Sequence, residues 1–502
     1  MVKKLKLAPT HFFLFRPISL CIGLLCKNYL FYLWMLKYIP SKVHAYLGYV
    51  NACLIYRYAS KKVPAYQDYL GKRCSIAVPE TDKSAYILNY SIQDRCCNGK
   101  LLKRNAMIDE SSGSSGQPFN WVRGDRERKE THHFVQYYCR YNFGDSFFIT
   151  LNAFSQGAWA TGWNMGLSLQ KNGIVKNTGP DVHKILKTLA YLGPDFDYLI
   201  LGYPPFLKLL IDEAEKQNFP LKRFRLLALV GGEGMSEGLR DYLKTIFAKV
   251  YSGFGATDLE MGVAGESDIS ISLRRLAESD VRVKEALFGK DSRTPMVFQY
   301  NPFLYFIEAN SHNELVYTIC RPSLMSPRVR YNVHDKGGIA TFNEVESKLA
   351  LLGYDISTLD DGTLALPLPF MWIHGRSDYT VSVMGANIYP EDIEYCVYAI
   401  PALAKITISY CLSSIEIEKG LLRPFIMLEV HTIPSETETK YLADTLLKTL
   451  IALNSDFESG YKEYPDILIP KIDYYLEGDG PFKRSLGQIK QKRLMTSYTS
   501  AI

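Results

Sequence analysis

Short, largely apolar runs alternate with segments of helical periodicity through the middle of the chain. Residues 147–151, 198–201 and 226–230 have the length and apolar character of buried strands. Between and after these runs, residues 185–191 and 206–216 carry apolar side chains at helical spacing. Repeated strand–turn–helix units of this kind predict a mainly parallel sheet with helices on both of its faces.

The elements that follow extend the same pattern. Ser236 is placed to cap a helix over 237–247, and residues 249–251 predict the next strand. Glycine turns end the strands on either side of this helix, and ligands of parallel sheets bind at the carboxyl ends of strands. The charged cluster at 125–130 predicts the solvated start of another helix, and residues 295–345 are richer in strand patterns.

The domain organisation follows from length and from the positions of proline and glycine. A chain of 502 residues is long enough for several subdomains. The clusters at 367–369 and 375–378 indicate a boundary. We therefore predict an α/β protein. Its large N-terminal domain of mixed, mainly parallel sheets with helices would span 41–375, and a small α+β C-terminal domain would span 376–502. Residues 1–40 form an apolar segment with basic flanks.

That N-terminal segment raises the question of a membrane. Three lysines precede an apolar run over 12–36, but its longest uncharged stretch, 17–26, is too short to span a bilayer. Basic flanks favour either a buried helix or one at the membrane surface. The ten cysteines include no C-x-x-C pair, which indicates free thiols in a reducing compartment, so we expect a cytoplasmic protein. A net charge of +6 is mild for this length and does not indicate nucleic-acid binding.

Residues 111–118 read Ser-Ser-Gly-Ser-Ser-Gly-Gln-Pro and are the most informative segment of the chain. Glycine lets a backbone approach a ligand closely, and successive N–H groups form an anion-binding nest. The serine hydroxyls add donors that rotate to suit phosphate oxygens. The segment is therefore suited to a polyphosphate, although no Gly-Lys-Ser/Thr follows and it is not a Walker loop. A flexible Ser/Gly linker is the alternative interpretation.

Five further motifs follow this loop in a fixed order. They are GGEG at 231–234, FGATD at 254–258, YNVHD at 331–335, GRSD at 375–378 and GANIYPEDIE at 385–394. Together with the Ser/Gly loop they resemble the adenylate-forming superfamily, most closely its phenylacetate-coenzyme A ligase branch. The resemblance covers roughly residues 105–495. It implies an enzyme that uses ATP and Mg²⁺ to form an acyl adenylate and then transfers the acyl group to coenzyme A.

The resemblance also implies a nucleotide site. The β- and γ-phosphates of ATP would be held by the hydroxyls and amides of Ser111, Ser112, Gly113, Ser114, Ser115 and Gly116. Gln117 stands where family members often carry lysine, so one cationic contact is absent. The adenine would be bordered by Gly232, Glu233 and Gly234. Phe254, followed by Gly255, takes the place of the family's usual tyrosine near the base.

Further residues would act on the α-phosphate and the ribose. By the resemblance, Thr257 donates to the α-phosphate, and Asp258 stands in place of the usual glutamate as the Mg²⁺ ligand, with Glu260 as an assisting carboxylate. Asp335 would accept hydrogen bonds from the ribose hydroxyls, and Arg376 would stand nearby. Read singly, each of these residues could instead serve a turn, an ion pair or the core.

The C-terminal domain of this superfamily rotates between the two half-reactions. Asp378 matches the hinge position and Gly385 matches a glycine beside the approach channel of the thiol. The family's Gly-Lys pair supplies a lysine to the first half-reaction, but Gln488 stands at that position here. Lys490 is the favoured substitute, ahead of the two lysines at 483 and 492.

The acid pocket is expected between the strand at 147–151 and the turn after 201. Its candidate residues by analogy are Phe154, Trp159, Trp163, Tyr203 and Gly231. Their aromatic character suits a small carboxylic acid with an aromatic or apolar acyl group. Several alternatives remain open. AMP could be moved to another substrate, as in an adenylyltransferase, or the chain could be a membrane-associated binding protein whose N-terminal segment determines its location. The acceptor could be an amine or another group instead of coenzyme A, and the chain could be a degenerate member that only binds a nucleotide or an acyl adenylate.

Overall fold

The computed structural model describes residues 27–72, 78–110, 119–145, 147–156, 160–291, 293–359, 365–376, 381–384, 386–418, 421–483 and 493–495. The helices are, in chain order, α1 (Tyr29–Tyr38), α2 (Ser41–Lys62), α3 (Pro64–Gly71), α4 (Asp125–Phe143), α5 (Ala160–Leu169), α6 (Val182–Leu192), α7 (Pro204–Lys216), α8 (Glu237–Lys244), α9 (Asp268–Ser279), α10 (Val281–Phe288), α11 (Phe342–Leu351), α12 (Pro390–Ala399), α13 (Pro401–Ile406), α14 (Glu436–Leu453), α15 (Ser455–Glu463) and α16 (Pro465–Leu468).

The strands are, in chain order, β1 (Ala106–Glu110), β2 (Asn120–Gly124), β3 (Phe148–Asn152), β4 (Gly173–Asn177), β5 (Asp197–Gly202), β6 (Arg225–Gly231), β7 (Phe247–Phe254), β8 (Ala264–Gly265), β9 (Met296–Gln299), β10 (Tyr305–Ala309), β11 (Glu314–Ile319), β12 (Tyr331–Ala340), β13 (Phe370–Arg376), β14 (Val381–Val383), β15 (Ala386–Ile388), β16 (Thr407–Glu418), β17 (Leu421–Val430) and β18 (Lys471–Leu476).

A mixed sheet of eleven strands organises the larger part of the described chain. Its order is β10-β11-β12-β13-β9-β8-β7-β6-β5-β3-β4. The five strands from β4 to β7 are parallel, and the remaining pairs are antiparallel. The predicted α/β class with mixed sheets and helices is confirmed. Crossover helices connect these strands and allow them to run parallel. Because the strands are parallel, their carboxyl ends lie at the same edge of the sheet.

The parallel half forms where the sequence predicted it. Strand β5 is buried along almost its whole length, as its continuous apolar run requires. Ser236 caps α8 by accepting the N–H of Leu239 over 3.2 Å. The helix ends at Lys244, three residues before its predicted end, because Phe247 is buried and already pairs with Leu226 as the first residue of β7.

The described residues from 381 onward form a second, smaller unit, which we call the C-terminal lobe. It contains the three-stranded sheet β16-β17-β18 and the β14-β15 pair. These strands share an apolar core with α12 and α14, represented by Leu412, Ile426 and Leu446. Strand β13 still belongs to the large sheet up to Arg376, and the domain boundary between 375 and 376 stays a prediction.

The N-terminal helix α1 packs on the large unit. Met35 and Leu36 are buried against Leu366 and Leu368. None of the helices in the described part of the chain is long and apolar enough to cross a membrane.

Candidate active site

A cavity of about 450 Å³ opens at the carboxyl ends of the parallel strands. Gly231 ends β6 in its wall, Gly253 lies near the end of β7, and Phe154 and Tyr203 follow β3 and β5. Its volume lies in the range of small-molecule sites, which also favour this edge of an α/β sheet. The fold therefore places the cavity where the glycine turns predicted a ligand.

Residues from separate motifs meet in this one cavity. The lining includes the predicted site residues Phe154, Tyr203, Gly231, Gly232, Gly255, Thr257, Asp258, Glu260 and Asp335. The GGEG, FGATD and YNVHD turns thus converge in space. This convergence is what a shared ligand requires, although the role of each residue stays a prediction.

Four of the predicted residues lie elsewhere in the described structure. Glu233 and Gly234 do not line the cavity, and one Glu233 oxygen lies 3.9 Å from Arg493 Nη2 of the C-terminal lobe. The ring of Phe254 packs against Phe298 and Tyr317, with centroid separations of 5.9 and 6.2 Å, and also stays outside the lining. Trp163 is half exposed on α5 and does not reach the cavity.

Other predicted positions lie outside the described residues. They are Ser111, Ser112, Gly113, Ser114, Ser115, Gly116, Gln117, Trp159, Asp378, Gly385, Gln488 and Lys490. Arg376 is described through its backbone, which pairs directly with that of Asp335 across β12 and β13. The two positions are therefore cross-strand neighbours, and their roles at the ribose stay a prediction.

The carboxylate of Asp258 is oriented by two neutral donors. Trp121 donates its indole N–H to Oδ1 over 2.8 Å, and Tyr331 donates its hydroxyl to Oδ2 over 3.1 Å. Burial, followed by the nearby Asp258 charge, raises the pKa of the Tyr331 hydroxyl well above its ordinary value, so it remains a donor. Neither donor carries a charge, so the negative charge of Asp258 is not cancelled by them.

Two buried arginines fix the backbone that carries Asp258. Arg123 donates to the carbonyl oxygens of Thr257 over 2.5 Å and Leu259 over 2.8 Å. Arg328 donates to those of Asp258 over 3.0 Å and Leu259 over 3.1 Å. Three successive carbonyl groups are thus held by rigid guanidinium forks, which limits movement of the loop.

The charges of these arginines are balanced by buried carboxylates. Asp109 accepts from Arg123 Nε over 3.1 Å, and Glu127 lies 3.3 Å from Arg123 and 3.4 Å from Arg328. Burial raises the pKa of the Glu127 carboxyl to about 7, and the charge of Arg123 opposes this rise. The 125–130 cluster does begin a helix, but the expectation of a solvated cluster is wrong for Glu127. The paired arginines draw its side chain inward.

A lysine that sequence analysis did not single out also lines the cavity. Lys83 lies at the start of a π-helical turn, and its Nζ is 4.2 Å from the ring centroid of Phe119. Phe119 and Glu110 flank the Ser/Gly segment on its two sides in the sequence, and Glu110 also lines the cavity. A cation therefore contacts the residue that directly follows the segment predicted to hold phosphates, and the residue before that segment lines the same cavity.

Comparison with known proteins identifies the architecture. No family model matches the chain, and no curated protein matches it. Among solved structures, 2-hydroxyisobutyryl-CoA ligase in its postadenylation state with R3-HIB-AMP matches with a TM-score of 0.65 at 12% identity, covering 92% of this chain and 91% of that one. The chain has the fold of the adenylate-forming enzymes.

Other states of the same ligase give lower scores at similar coverage. With 2-HIB-AMP and CoA in the thioesterification state the TM-score is 0.54 at 13% identity, covering 92% and 91% of the two chains. The open conformation with the same two ligands gives 0.53 at 13% identity, covering 92% and 93%. At these identities the likeness is one of fold, and it confirms the fold that the sequence motifs implied.

The adenylate-forming fold implies a Mg²⁺ ion, and the donor set can be tested for it. In the described part of the chain no cluster of three His, Cys, Asp or Glu side chains is placed to hold a metal. Glu260 is buried, accepts from Tyr305 over 2.9 Å and forms an ion pair with Arg321, so its charge is already compensated. Asp258 accepts from two neutral donors and lines the cavity. Because Mg²⁺ takes one or two carboxylates and completes its shell with phosphates and water, Asp258 fits this ion.

One wall of the cavity was not predicted from the sequence. Four residues of α1 line it, namely Tyr29, Tyr32, Leu33 and Leu36, together with Tyr137, Tyr138 and Tyr141 of α4. Positions 29, 32, 33 and 36 form one helical face, but the helix is apolar on its other sides too, so the sequence pattern did not single out this face. Periodicity shows that a face is covered but does not show what covers it.

Proposed function

We propose that this chain is an ATP-dependent, AMP-forming acid ligase that activates a carboxylic acid and transfers its acyl group to coenzyme A, as in the phenylacetate-CoA ligase branch. The observation that carries the proposal is the convergence of the GGEG, FGATD and YNVHD turns on one cavity. The chain's likeness of fold to acyl-CoA ligases supports it.

The first half-reaction would proceed by direct displacement at phosphorus. An oxygen of the acid carboxylate bonds to the α-phosphorus of ATP, and the bond to the bridging oxygen of pyrophosphate breaks. In this proposal the Thr257 hydroxyl donates to the α-phosphate and Asp335 accepts from the ribose hydroxyls. Mg²⁺ held by Asp258 would offset the charge that accumulates on the phosphates.

This chain departs from the family pattern in the positively charged side chains expected near the phosphates. Gln117 and Gln488 both stand at positions where the family often has lysine. We propose that Lys490 bridges the acid carboxylate and the α-phosphate. Lys83, which lines the cavity beside the Ser/Gly segment, would add charge toward the β- and γ-phosphates. A lysine acts there as a compact point charge.

The second half-reaction requires an acceptor to reach the acyl carbon. Attack by the thiol of coenzyme A forms the thioester and releases AMP. We propose that Asp378 acts as the hinge and Gly385 borders the thiol channel, so that the C-terminal lobe moves between the steps. The higher TM-score to the postadenylation state than to the thioesterification state supports the view that the lobe lies here as it does in that postadenylation structure.

The acid itself would be apolar or aromatic. Phe154 and Tyr203 meet edge to face in the cavity wall with ring centroids 5.4 Å apart. Their rings offer apolar surface beside Gly231, which ends β6 in the cavity wall. A Cβ at Gly231 would come within 2.9 Å of the Gly253 carbonyl oxygen.

Acid-stimulated pyrophosphate release, together with mass detection of acyl-AMP from a panel of acids, tests the first step. We expect release only with acids that the cavity accepts, and Asp335→Asn should raise the ATP concentration needed. The matched control is Asp444→Asn, on the exposed face of α14, where the carboxylate pairs with Lys448 over 2.7 Å. Wild-type protein that binds ATP but releases no pyrophosphate with any acid would favour the degenerate nucleotide-binding alternative.

The acceptor is tested separately, once a productive acid is known. Coenzyme A and a set of primary amines are supplied in parallel with the acyl adenylate, and the products are identified by mass. We expect the thioester. Amide formation without thioester would replace the coenzyme A proposal by the amide synthetase alternative.

We also propose that α1 contributes to attachment at a membrane surface. Leu30, Trp34 and Tyr38 form an apolar face that is at least half exposed, and Lys37 lies beside it. Aromatic and basic residues together are typical of helices at lipid interfaces. Cosedimentation with anionic vesicles should fall for Trp34→Glu but not for Tyr191→Glu, an exposed aromatic residue on α6. Equal sedimentation of the two variants would exclude α1 as the attachment face.

A further inference from the structure

One face of the N-terminal helix α1 is part of the cavity wall. Tyr29, Tyr32, Leu33 and Leu36 line the cavity, and their spacing puts them on a single side of the helix. Leu30, one residue after Tyr29, points the other way and is 70% exposed. The cavity thus extends beyond the strand ends to a segment near the start of the chain.

Ring contacts hold α1 against α4. Tyr137 of α4 contacts Tyr29 and Tyr32, with ring centroids 5.2 and 5.1 Å apart. Tyr32 also meets Phe134 at 5.7 Å. The Asn301 side-chain amide donates to the Tyr32 hydroxyl over 3.1 Å, which fixes the direction of that ring. These contacts make α1 a packed wall of the cavity.

A second segment completes this part of the cavity. Leu366 and Leu368 line it and pack against Leu36. The Gln299 amide donates to the carbonyl oxygens of Leu366 over 3.0 Å and Leu368 over 3.1 Å. Ser267 in turn donates its hydroxyl to Gln299 Oε1 over 2.6 Å, so the amide is held in one orientation. We call the cavity face formed by α1, α4 and residues 366–368 the aromatic arm.

The aromatic arm carries no charge among its described residues. Apart from tyrosines, the titratable side chains of the lining are Lys83, Glu110, Asp258, Glu260, His334 and Asp335, and all lie outside the arm. Glu260 is already paired with Arg321. Arg140 of α4 contacts the ring of Tyr29 but does not line the cavity, and it pairs with Asp145. A second charged group on a ligand would therefore lose its hydration in the arm and gain at most neutral tyrosine hydroxyls in place of an ion-pair partner, which is unfavourable.

We propose that the aromatic arm receives the distal part of the acyl group. The acids of this enzyme would then be uncharged apart from the reacting carboxylate, with a hydrocarbon or aryl chain long enough to pass Phe154 and reach α1. This inference rests on the proposed ligase function and deepens it by assigning the substrate class to a wall of the cavity. Leu33, on the cavity face of α1, becomes a specificity-determining residue.

Two opposite substitutions at Leu33 test the assignment. Leu33→Trp fills the arm and Leu33→Ala enlarges it, while Leu30→Trp places the same bulk on the exposed face of α1 as a control. Each protein is assayed with straight-chain carboxylates from acetate to decanoate and with aryl acids of increasing length. Affinity for the free acids is measured by calorimetry, and acyl-AMP formation is measured by mass.

For wild-type protein, each methylene that enters the arm should raise affinity about 3- to 4-fold. Leu33→Trp should remove this gain for long acids while leaving short acids unchanged, and Leu33→Ala should shift the preference toward bulkier acids. Leu30→Trp should behave like wild type. If Leu33→Trp does not fold, the Leu33→Ala preference decides the question alone.

Failure of this inference differs from failure of the proposed function. If wild-type protein forms acyl-AMP and the Leu33 variants change all acids equally or none, the arm does not hold the acyl chain and the inference is overturned. If no acid yields acyl-AMP but long acids bind with an affinity that Leu33→Trp removes, the ligase proposal fails while the arm assignment stands. Equal binding of decanoate and of the ten-carbon dicarboxylate sebacate would also overturn the inference, because a charged group at the far end of a chain long enough to reach the arm should be rejected.

Discussion

Trp121 donates its indole N–H to the carboxylate of Asp258 over 2.8 Å, across 137 positions of sequence. Arg95 and Arg328 lie on the Trp121 ring, with their guanidinium carbons 5.2 and 4.5 Å from its centroid. The indole is therefore held by cation–π contacts while it orients the carboxylate. The position of Asp258 in the cavity depends on a residue that belongs to none of the sequence motifs.

Trp121→Phe should keep an aromatic ring in contact with both arginines but remove the donor to Asp258. A hydrogen bond to a charged group contributes about 1.5–3 kcal/mol, so we expect kcat/KM for ATP to fall roughly 10- to 100-fold. The Mg²⁺ concentration needed for half-maximal pyrophosphate release should rise, because the ligand would no longer be held in place. Trp34→Phe, on the exposed face of α1, is the matched control. Unchanged ATP and Mg²⁺ titrations would show that the indole does not position Asp258.

Lys83→Gln should slow adenylation by removing a cation beside the Ser/Gly segment. A single charged contact to a phosphate contributes about 1.5–3 kcal/mol, so a loss of roughly 10-fold or more in pyrophosphate release is expected. Affinity for the free acid should not change, since Lys83 lies outside the aromatic arm. Lys62→Gln, at the exposed end of α2, is the control. If acid binding is lost while ATP binding stays normal, Lys83 binds the acid and not the phosphates of ATP, and the prediction is wrong.

The parallel half of the sheet could be predicted because each of its strands is a short apolar run followed by a turn and a helix. The motif turns that line the cavity follow from the same pattern, since they lie at the strand ends. The partners of Asp258 could not be predicted. Trp121, Arg123 and Arg328 come from distant parts of the sequence, and only packing shows that they meet.

Aromatic residues were the least predictable part of the site. The resemblance places Phe254 where the family has a tyrosine near the base, but Phe298 and Tyr317 offer its ring a packed apolar surface. Tyr29 and Tyr32 looked like part of a core or membrane-surface helix, yet their face lines the cavity. Hydrophobic periodicity identifies which side of an element is covered, and it cannot distinguish a core contact from a ligand contact.

Asp392, in the first turn of α12, should make stability depend on pH. Its carboxylate accepts from the Tyr389 N–H over 3.0 Å and the Asn454 amide over 2.7 Å, and burial raises the pKa of the carboxyl to about 6. A raised pKa means that the folded state favours the protonated form. Its stabilising contribution is full below the ordinary value near 3.8 and is lost as pH rises through about 6.

Asp392→Asn removes this titration and keeps the shape of the side chain. The difference in melting temperature, variant minus wild type, should become more positive when the pH rises from about 4 to about 7. If the substitution also removes or adds a hydrogen bond, the melting-temperature difference shifts by the same amount at every pH, so its dependence on pH is unchanged. Asp466→Asn, on the exposed side of α16, should give a flat difference. A flat difference for Asp392→Asn as well would mean that its folded and unfolded pKa values are equal.

Arg493 should link the C-terminal lobe to the GGEG turn. Its guanidinium carbon lies 4.1 Å from the ring centroid of Tyr410, its Nη1 donates to the Ser409 hydroxyl over 3.1 Å, and its Nη2 lies 3.9 Å from a Glu233 oxygen. The first two contacts belong to the lobe and the third crosses to the large unit. Because the guanidinium is held by the lobe, its attraction to Glu233 acts on the position of the lobe as a whole.

A double-mutant cycle with Arg493→Gln and Glu233→Gln measures that attraction through the rate of pyrophosphate release. Each single variant should slow adenylation, and the double variant should lose little beyond either one, with a coupling energy of about 1 kcal/mol. Thioester formation from supplied acyl-AMP should be unaffected or faster, since that step uses a different lobe position in this proposal. Arg423→Gln, whose Nη2 donates to the Asp466 carbonyl oxygen over 2.8 Å within the lobe, controls for loss of a lobe arginine. Additive losses would show that the two side chains act independently, and slowing of both half-reactions would assign Arg493 to the stability of the lobe.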